Sequence, residues 1–201
     1  PFGAVWNFFA TEDTGNQAEL GLDHFYLGPD GGYDLAQVRE KYDGVSEAGV
    51  ELVFEDLDDI NQRVAELLAG GEVVARCSGP MEFGARALGN RSILADPSNS
   101  RVVPLINKMI KKRDFWMPFA PAILRENAEQ YLEIPPTLPR ERISPYMMHT
   151  FATNDSRDDF IAGVHQHDLS TRAQIVRAEA NPEFHDLITR FKALTGRGVV
   201  L

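Results

Sequence analysis

A single cysteine, Cys77, is all the thiol the chain carries. One cysteine excludes an intrachain disulfide and any cysteine-based metal cluster, and it permits a reducing, cytoplasmic setting. Its expected place is inside a strand, as a small buried hydrophobe. The sequence also lacks an uninterrupted apolar run of roughly 18 residues, the length a membrane span requires. The N-terminal residues Pro1-Phe2-Gly3-Ala4-Val5-Trp6 show neither a basic stretch nor a cleavage pattern. They do not read as a signal peptide, and resemble a boundary cut into an element already under way. Positive charge is scarce: 20 Lys and Arg stand against 30 Asp and Glu, a net charge of −10. That balance argues against broad nucleic-acid binding, which needs a basic face to neutralise phosphates.

What is present suits a globular protein. The 201 residues are 43% hydrophobic, enough for a core, and can hold one domain or one domain with a piece of another. One segment departs from the acidic background: Arg101, Lys108, Lys111, Lys112 and Arg113 fall together with no acidic residue between Arg101 and Arg113. A basic segment kept by an acidic protein points to an anion or an acidic neighbour. Residues 1–50 show turn chemistry ("YLGPDGGYD") and a polar helix over 34–42, with no compact core; "DGVSEAG" marks a boundary. A helix follows over 54–71, capped by Asp56 or Asp58, with Ile60, Val64, Leu67 and Leu68 on one face. The spacing then predicts a strand over 72–77, a helix from Val102 that ends before Pro118, and a strand in "SPYMMHTF". "FIAGVHQHDLSTRAQIV" reads as strand, polar turn, strand. A final helix is capped by Asn181, carries Phe184, Leu187, Ile188, Phe191 and Leu194 inward, and stops at Gly196. Interleaved strands and helices without strict alternation predict a mixed α/β fold.

The most informative stretch is "GPMEFGARALGNRSILADP", residues 79–97, where Glu82, Arg86 and Arg91 sit among glycines. It contains neither the dinucleotide-binding nor the P-loop pattern. Two arginines beside Gly84 and Gly89 suit a phosphate or carboxylate, because guanidinium groups match such oxygens bidentately and glycine lets backbone approach a ligand. A structural ion pair with Glu82 accounts for them equally well. Lys108, Lys111 and Lys112 lie three to four positions apart, so one helix face can aim two of them at one ligand, or simply be solvated. Ser170, Thr171 and Arg172 gather hydroxyls and a guanidinium in three residues, a second anion-contact candidate. His165, His167 and Asp168 suggest a metal site only weakly, with no further ligand nearby in sequence.

Several of these segments together resemble the nodulation-type and antibiotic O-carbamoyltransferases. The hallmark of that family has the form G-x-M-E-F-G-P-R-A-L-G-N-R-S-I-L-A-D-P. The run Asn107, Lys111-x-Arg113 and Pro118-Phe119-Ala120-Pro121 follows it, "SPYMMHTF" contains the family's S-P-F/Y-M, and "STRAQ" its S/T-x-R-x-Q. Two positions depart: Ala85 replaces a proline, and "HQHDLSTR" replaces H-V-D-G-S/T-x-R, so that Leu169 stands where the family has glycine.

The resemblance implies a YrdC-like domain, a twisted mixed sheet with flanking helices, over 51–201 and truncated at its C-terminal end. Residues 1–50 would be the tail of an actin-like metal-binding domain plus linker. It implies a transferase that uses ATP with Mg2+ and carbamoyl phosphate to form carbamoyl-adenylate. The carbamoyl group would pass in the other domain to a hydroxyl of a sugar or antibiotic, with Fe2+ or another divalent metal expected only in that domain. On this likeness Arg86, Lys111 and Arg172 are catalytic. Arg91, Arg113, Ser170, Asn90 and Ser144 contact the nucleotide or carbamoyl group, Glu82, Gly84 and Gly89 give structural support, and the domain itself holds no metal. A cytoplasmic enzyme, with no membrane and with a homodimer allowed, completes the expectation. Alternatives are a non-catalytic nucleotide- or RNA-binding module of the same fold, or an enzyme like threonylcarbamoyl-adenylate synthase.

Overall fold

A computed structural model describes residues 24–201 other than 31, 33, 43–45, 48–49, 113, 115–116 and 144. Most of the expected 1–50 remnant therefore lies outside the described residues, as do Arg113 and Ser144.

The described chain begins with α1 (Leu35–Tyr42), which buries none of its residues, and a short hairpin of β1 (Ser46–Glu47) and β2 (Val50–Glu51). Next comes α2 (Ile60–Ala69). Its cap is Asp59, not Asp56 or Asp58: the Asp59 carboxylate accepts from the Gln62 amide at 3.1 Å. Its buried face is Asn61, Ala65 and Leu68, while Ile60 is exposed. β3 (Val74–Cys77) and β4 (Arg91–Leu94) pair antiparallel across the hallmark stretch. Cys77 is exposed at the end of β3, against the expectation of a buried thiol, because the strand half-buries alternate residues and Cys77 falls on the open face.

The expected helix from Val102 is in two parts: α3 (Val102–Ile106) and a π turn (Asn107–Lys111) closed by Lys112 in the left-handed conformation, φ 49°. Then follow β5 (Ala122–Leu124), α4 (Ala128–Tyr131), β6 (Leu132–Glu133) and β7 (Phe151–Thr153). The strand expected at 160–164 is instead the end of a 3-10 segment, Asp155–Gly163, started by Asn154, whose side chain accepts from the Ser156 amide. β8 (Ser170–Thr171) and β9 (Gln174–Val176) lead to α5 (Pro182–Thr195) and β10 (Val199–Val200). Asn181 caps α5 and Gly196 ends it at φ 79°. Leu194 is exposed, but Phe184, Leu187, Ile188 and Phe191 are buried.

The fold is mixed α/β. The central sheet has the order β10-β5-β9, antiparallel on one side of β5 and parallel on the other. All residues of these three strands are buried, so both faces of the sheet are covered. Ala122, Leu124, Val176 and Val200 face Ala65 and Leu68 of α2 and the apolar side of α5. The alternate residues, Ile123, Ile175 and Val199, pack with Tyr131, Phe151, Phe160 and Val164. Ala95 and Leu201 exchange amide-to-carbonyl bonds of 3.3 and 3.0 Å, joining the β3–β4 hairpin to the edge of this sheet. The sheet and α5 thus form the rigid base on which the hallmark stretch rests.

Candidate functional site

Between β3 and β4 the hallmark stretch folds around Glu82. One carboxylate oxygen, Oε1, accepts from the amides of Leu88 (2.8 Å), Asn90 (2.8 Å) and Arg91 (3.0 Å). Burial pushes this carboxyl up, but the backbone amides outweigh it and hold Glu82 below the usual carboxylate range. The carbonyl of Leu88 accepts from the Tyr26 hydroxyl (2.8 Å) and from Gln174 Nε2 (2.9 Å). Burial raises the Tyr26 phenol above its ordinary range, so it remains a donor. Asn90 is buried, donates to the Pro80 carbonyl (2.7 Å) and accepts from Asn181 (2.8 Å), the residue that caps α5. The Arg91 guanidinium turns to the carbonyls of Ser78 (3.1 Å) and Asn90 (2.9 Å). Among the described residues no ion pair joins Glu82 to Arg86 or Arg91. The carboxylate holds backbone, not guanidinium.

With its frame fixed in this way, the loop offers Arg86 to a cleft of about 220 Å³. Lys111, from the π turn, and Arg172, between β8 and β9, line the same cleft. Its walls are Pro118, Phe119, Ala120, Met147 and Phe184, and among the described residues that line it there is no Asp or Glu. Gln174 also reaches it while holding Leu88. The π turn matters here, because its wider winding sets Lys111 at a position an unbroken α-helix would not give it. Three cations, with no carboxylate among the described lining residues and in a chain of net charge −10, form an arrangement that suits an anion.

A second cleft, of about 280 Å³, shares Pro118, Phe119, Ala120 and Arg172 with the first. It is also lined by His165, Asp168, Ser170 and Thr171. Asp168 Oδ1 accepts from the Ser170 hydroxyl (2.7 Å) and amide (3.0 Å) and lies 3.0 Å from His165 Nδ1. The Ser170 bonds, helped by His165, hold the Asp168 carboxyl down at about 2. The turn is pinned further by the amides of His165 and Leu169, which donate to Ser170 and His165 carbonyls at 2.7 and 2.9 Å. Leu169 stands at φ 56°, the left-handed region that favours glycine.

Comparison with known proteins gives this geometry a family. The model described as "Carbamoyltransferase C-terminus" matches residues 65–201, more than half of the chain. The chain belongs to that family. It is similar to "Nodulation protein NolNO" of Sinorhizobium fredii, 36% identical over 180 residues, which cover 90% of this chain and 25% of that protein. "Nodulation protein NolO" of Bradyrhizobium diazoefficiens is 34% identical over 180 residues, 90% of this chain and 32% of its own length. "3'-hydroxymethylcephem-O-carbamoyltransferase" of Amycolatopsis lactamdurans is 35% identical over 133 residues, 66% of this chain and 24% of that protein. The chain spans a quarter to a third of the length of these curated relatives.

In this carbamoyltransferase C-terminal domain, Arg86, Lys111 and Arg172 come together from three separated segments. Ser170 lies in the neighbouring cleft, with its hydroxyl given to Asp168. Asn90 and Arg91 do not line the cation cleft; their side chains serve the frame of the hallmark loop. Gly84 is exposed and Gly89 is packed beneath the loop. His165, His167 and Asp168 lie on or beside the polar turn, and no group of three or more metal-type side chains gathers among the described residues. Gln174 and Tyr26 are supports that sequence reasoning did not single out, and Asn181, foreseen as a helix cap, also holds Asn90. Of the first two only Gln174 had a visible signal, as the last residue of "STRAQ".

Proposed function

We propose that this domain forms carbamoyl-adenylate from ATP and a carbamoyl donor, in a protein that transfers the carbamoyl group to a hydroxyl acceptor such as a sugar or antibiotic. The observation that carries this reading is the convergence of Arg86, Lys111 and Arg172 on one cleft with no carboxylate among its described lining residues. The reaction needs little covalent help from the protein. A carbamate oxygen attacks the α-phosphorus of ATP, the bond to pyrophosphate breaks, and the protein neutralises and aligns anions. Arg86 and Lys111 hold phosphate oxygens, and Arg172, which lines both clefts, reaches the α-phosphate or the carbamoyl group. Among the described residues the cleft offers Mg2+ no carboxylate ligand, which fits a Mg2+ that enters on the phosphates of ATP as part of the substrate. A cytoplasmic location, where ATP and carbamoyl phosphate are supplied, completes the proposal.

The test is pyrophosphate exchange into ATP, dependent on carbamoyl phosphate, measured in the natural full-length protein. Loss of one charge-assisted contact in a desolvated transition state costs roughly 3 kcal/mol, on the order of a hundredfold in rate. Lys111→Ala and Arg172→Ala are each expected to show that loss. Exchange near wild type in both variants sinks the assignment.

A further inference from the structure

The turn over His165–Ser170 is left without a task by the adenylation reading. The cleft it lines shares Arg172 with the cation cleft, and the turn borders a third, mainly apolar groove of about 570 Å³ through His165, Gln166 and His167. His165 lines both the second cleft and this groove. Asp168 is ionised and therefore only accepts, so the 3.0 Å contact requires the proton to sit on His165 Nδ1. In the neutral ring Nε2 is then the basic nitrogen, and no described residue bonds it. His165 thus has one nitrogen held by a carboxylate and the other without a described partner, in a residue that lines two clefts, an arrangement that can take a proton.

We propose that His165, oriented by Asp168, is the general base for hydrolysis of carbamoyl phosphate, so that this turn releases the carbamate used in the adjoining cation cleft. The proposal rests on the carbamoyl-adenylate reading above. In the step, the oxygen of water bonds to the carbonyl carbon while one proton passes to His165 Nε2. The bond from that carbon to the phosphate oxygen breaks, and its electron pair leaves on phosphate. The imidazolium returns its proton to the departing phosphate, and the carbamic acid gives its remaining proton to solvent. Arg172, bordering both clefts, receives the anions on either side. Asp168 is a positioning residue: it fixes the ring and touches no reacting atom. Ser170 shares that carboxylate, and its hydroxyl donates to Asp168.

The experiment compares two donors in the natural full-length protein. Pyrophosphate exchange into ATP is measured with carbamoyl phosphate, and separately with carbamate present in ammonium bicarbonate solution. His165→Gln is expected to slow the first about 100-fold, with carbamate rescuing exchange to within about threefold of wild type. An unimpaired variant on carbamoyl phosphate, or an equal loss on both donors, overturns the role of His165. Absence of exchange in the wild type with carbamate overturns the adenylation reading itself. Asp168→Asn keeps an acceptor for Ser170 and is expected to lower kcat on carbamoyl phosphate about tenfold with KM unchanged. A change confined to KM overturns its positioning role.

Discussion

Gly89 lies on the ring of Phe184, which fills the space a Cβ would need. The residue is also at φ 110°, so an L side chain is opposed both by backbone conformation and by the buried ring. Gly89→Ala is expected to destabilise the protein by about 3 kcal/mol, read from the midpoint of urea unfolding. Because Phe184 also walls the cation cleft, the variant is further expected to weaken ATP binding at temperatures where it remains folded.

Glu82 ties three amides with one oxygen. Glu82→Gln keeps an acceptor but loses its charge, and is expected to cost about 1–2 kcal/mol at neutral pH. Its folded-state carboxyl is held below the ordinary range, so its stabilisation is present above the unfolded value. It is lost as pH falls through the folded one. The difference in melting temperature between wild type and Glu82→Gln is therefore expected to be full at neutral pH and to shrink below about pH 4. A difference that grows with acidification contradicts the argument.

Leu169 holds a left-handed backbone at φ 56° and is 40% exposed, so its side chain gains little burial to offset the strain. Leu169→Gly is expected to raise stability by about 0.5–1 kcal/mol, seen as a higher melting temperature. The hydrogen bonds of Asp168 are expected to survive, since none uses the Leu169 side chain.

Asp96, at the end of the hallmark stretch, accepts from the Ser98 hydroxyl (2.8 Å) with one oxygen and from Arg197 (2.8 Å) with the other. The two charged side chains are only 11% and 22% exposed. Asp96→Asn leaves Arg197 facing a neutral partner and is expected to cost about 2 kcal/mol. Adding Arg197→Met is expected to recover part of the loss, giving a non-additive double-mutant cycle. Additive losses would mean that the pair is energetically idle.

What the sequence revealed was mostly local. Asn181, Pro182 and Gly196 announce α5 because caps act within a few residues, and the mixed α/β class follows from the order of elements. The hallmark stretch, the lysine segment and the Ser170–Arg172 turn were each visible as anion candidates, since charge and glycine are read without knowing the fold. The departures arise where tertiary contacts choose between local options. Asp59, one residue past Asp58, caps α2 and also meets Arg190 of α5 at 2.7 Å, a partner 131 residues away. Buried Asn107, at the start of the π turn, donates to the Met117 carbonyl (3.0 Å), a contact that a regular helical period does not foresee. Cys77 is exposed because register decides which face of β3 is covered, and register is set by pairing with β4. The link between Asn90 and Asn181 spans 91 positions and has no trace in either segment alone.

The three amides that Glu82 occupies have a consequence for how the neighbouring cleft recognises its guest. A glycine-rich turn ordinarily offers such amides to an incoming phosphate. Here the chain supplies its own anion at neutral pH, and these three amides are taken before any ligand arrives. On the proposed reading, recognition passes to the tips of Arg86, Lys111 and Arg172, long side chains mounted on separate elements. Discrimination among phosphate-bearing ligands would then be set by replaceable side chains, and could be retuned by substitution without dismantling the turn that carries Arg86.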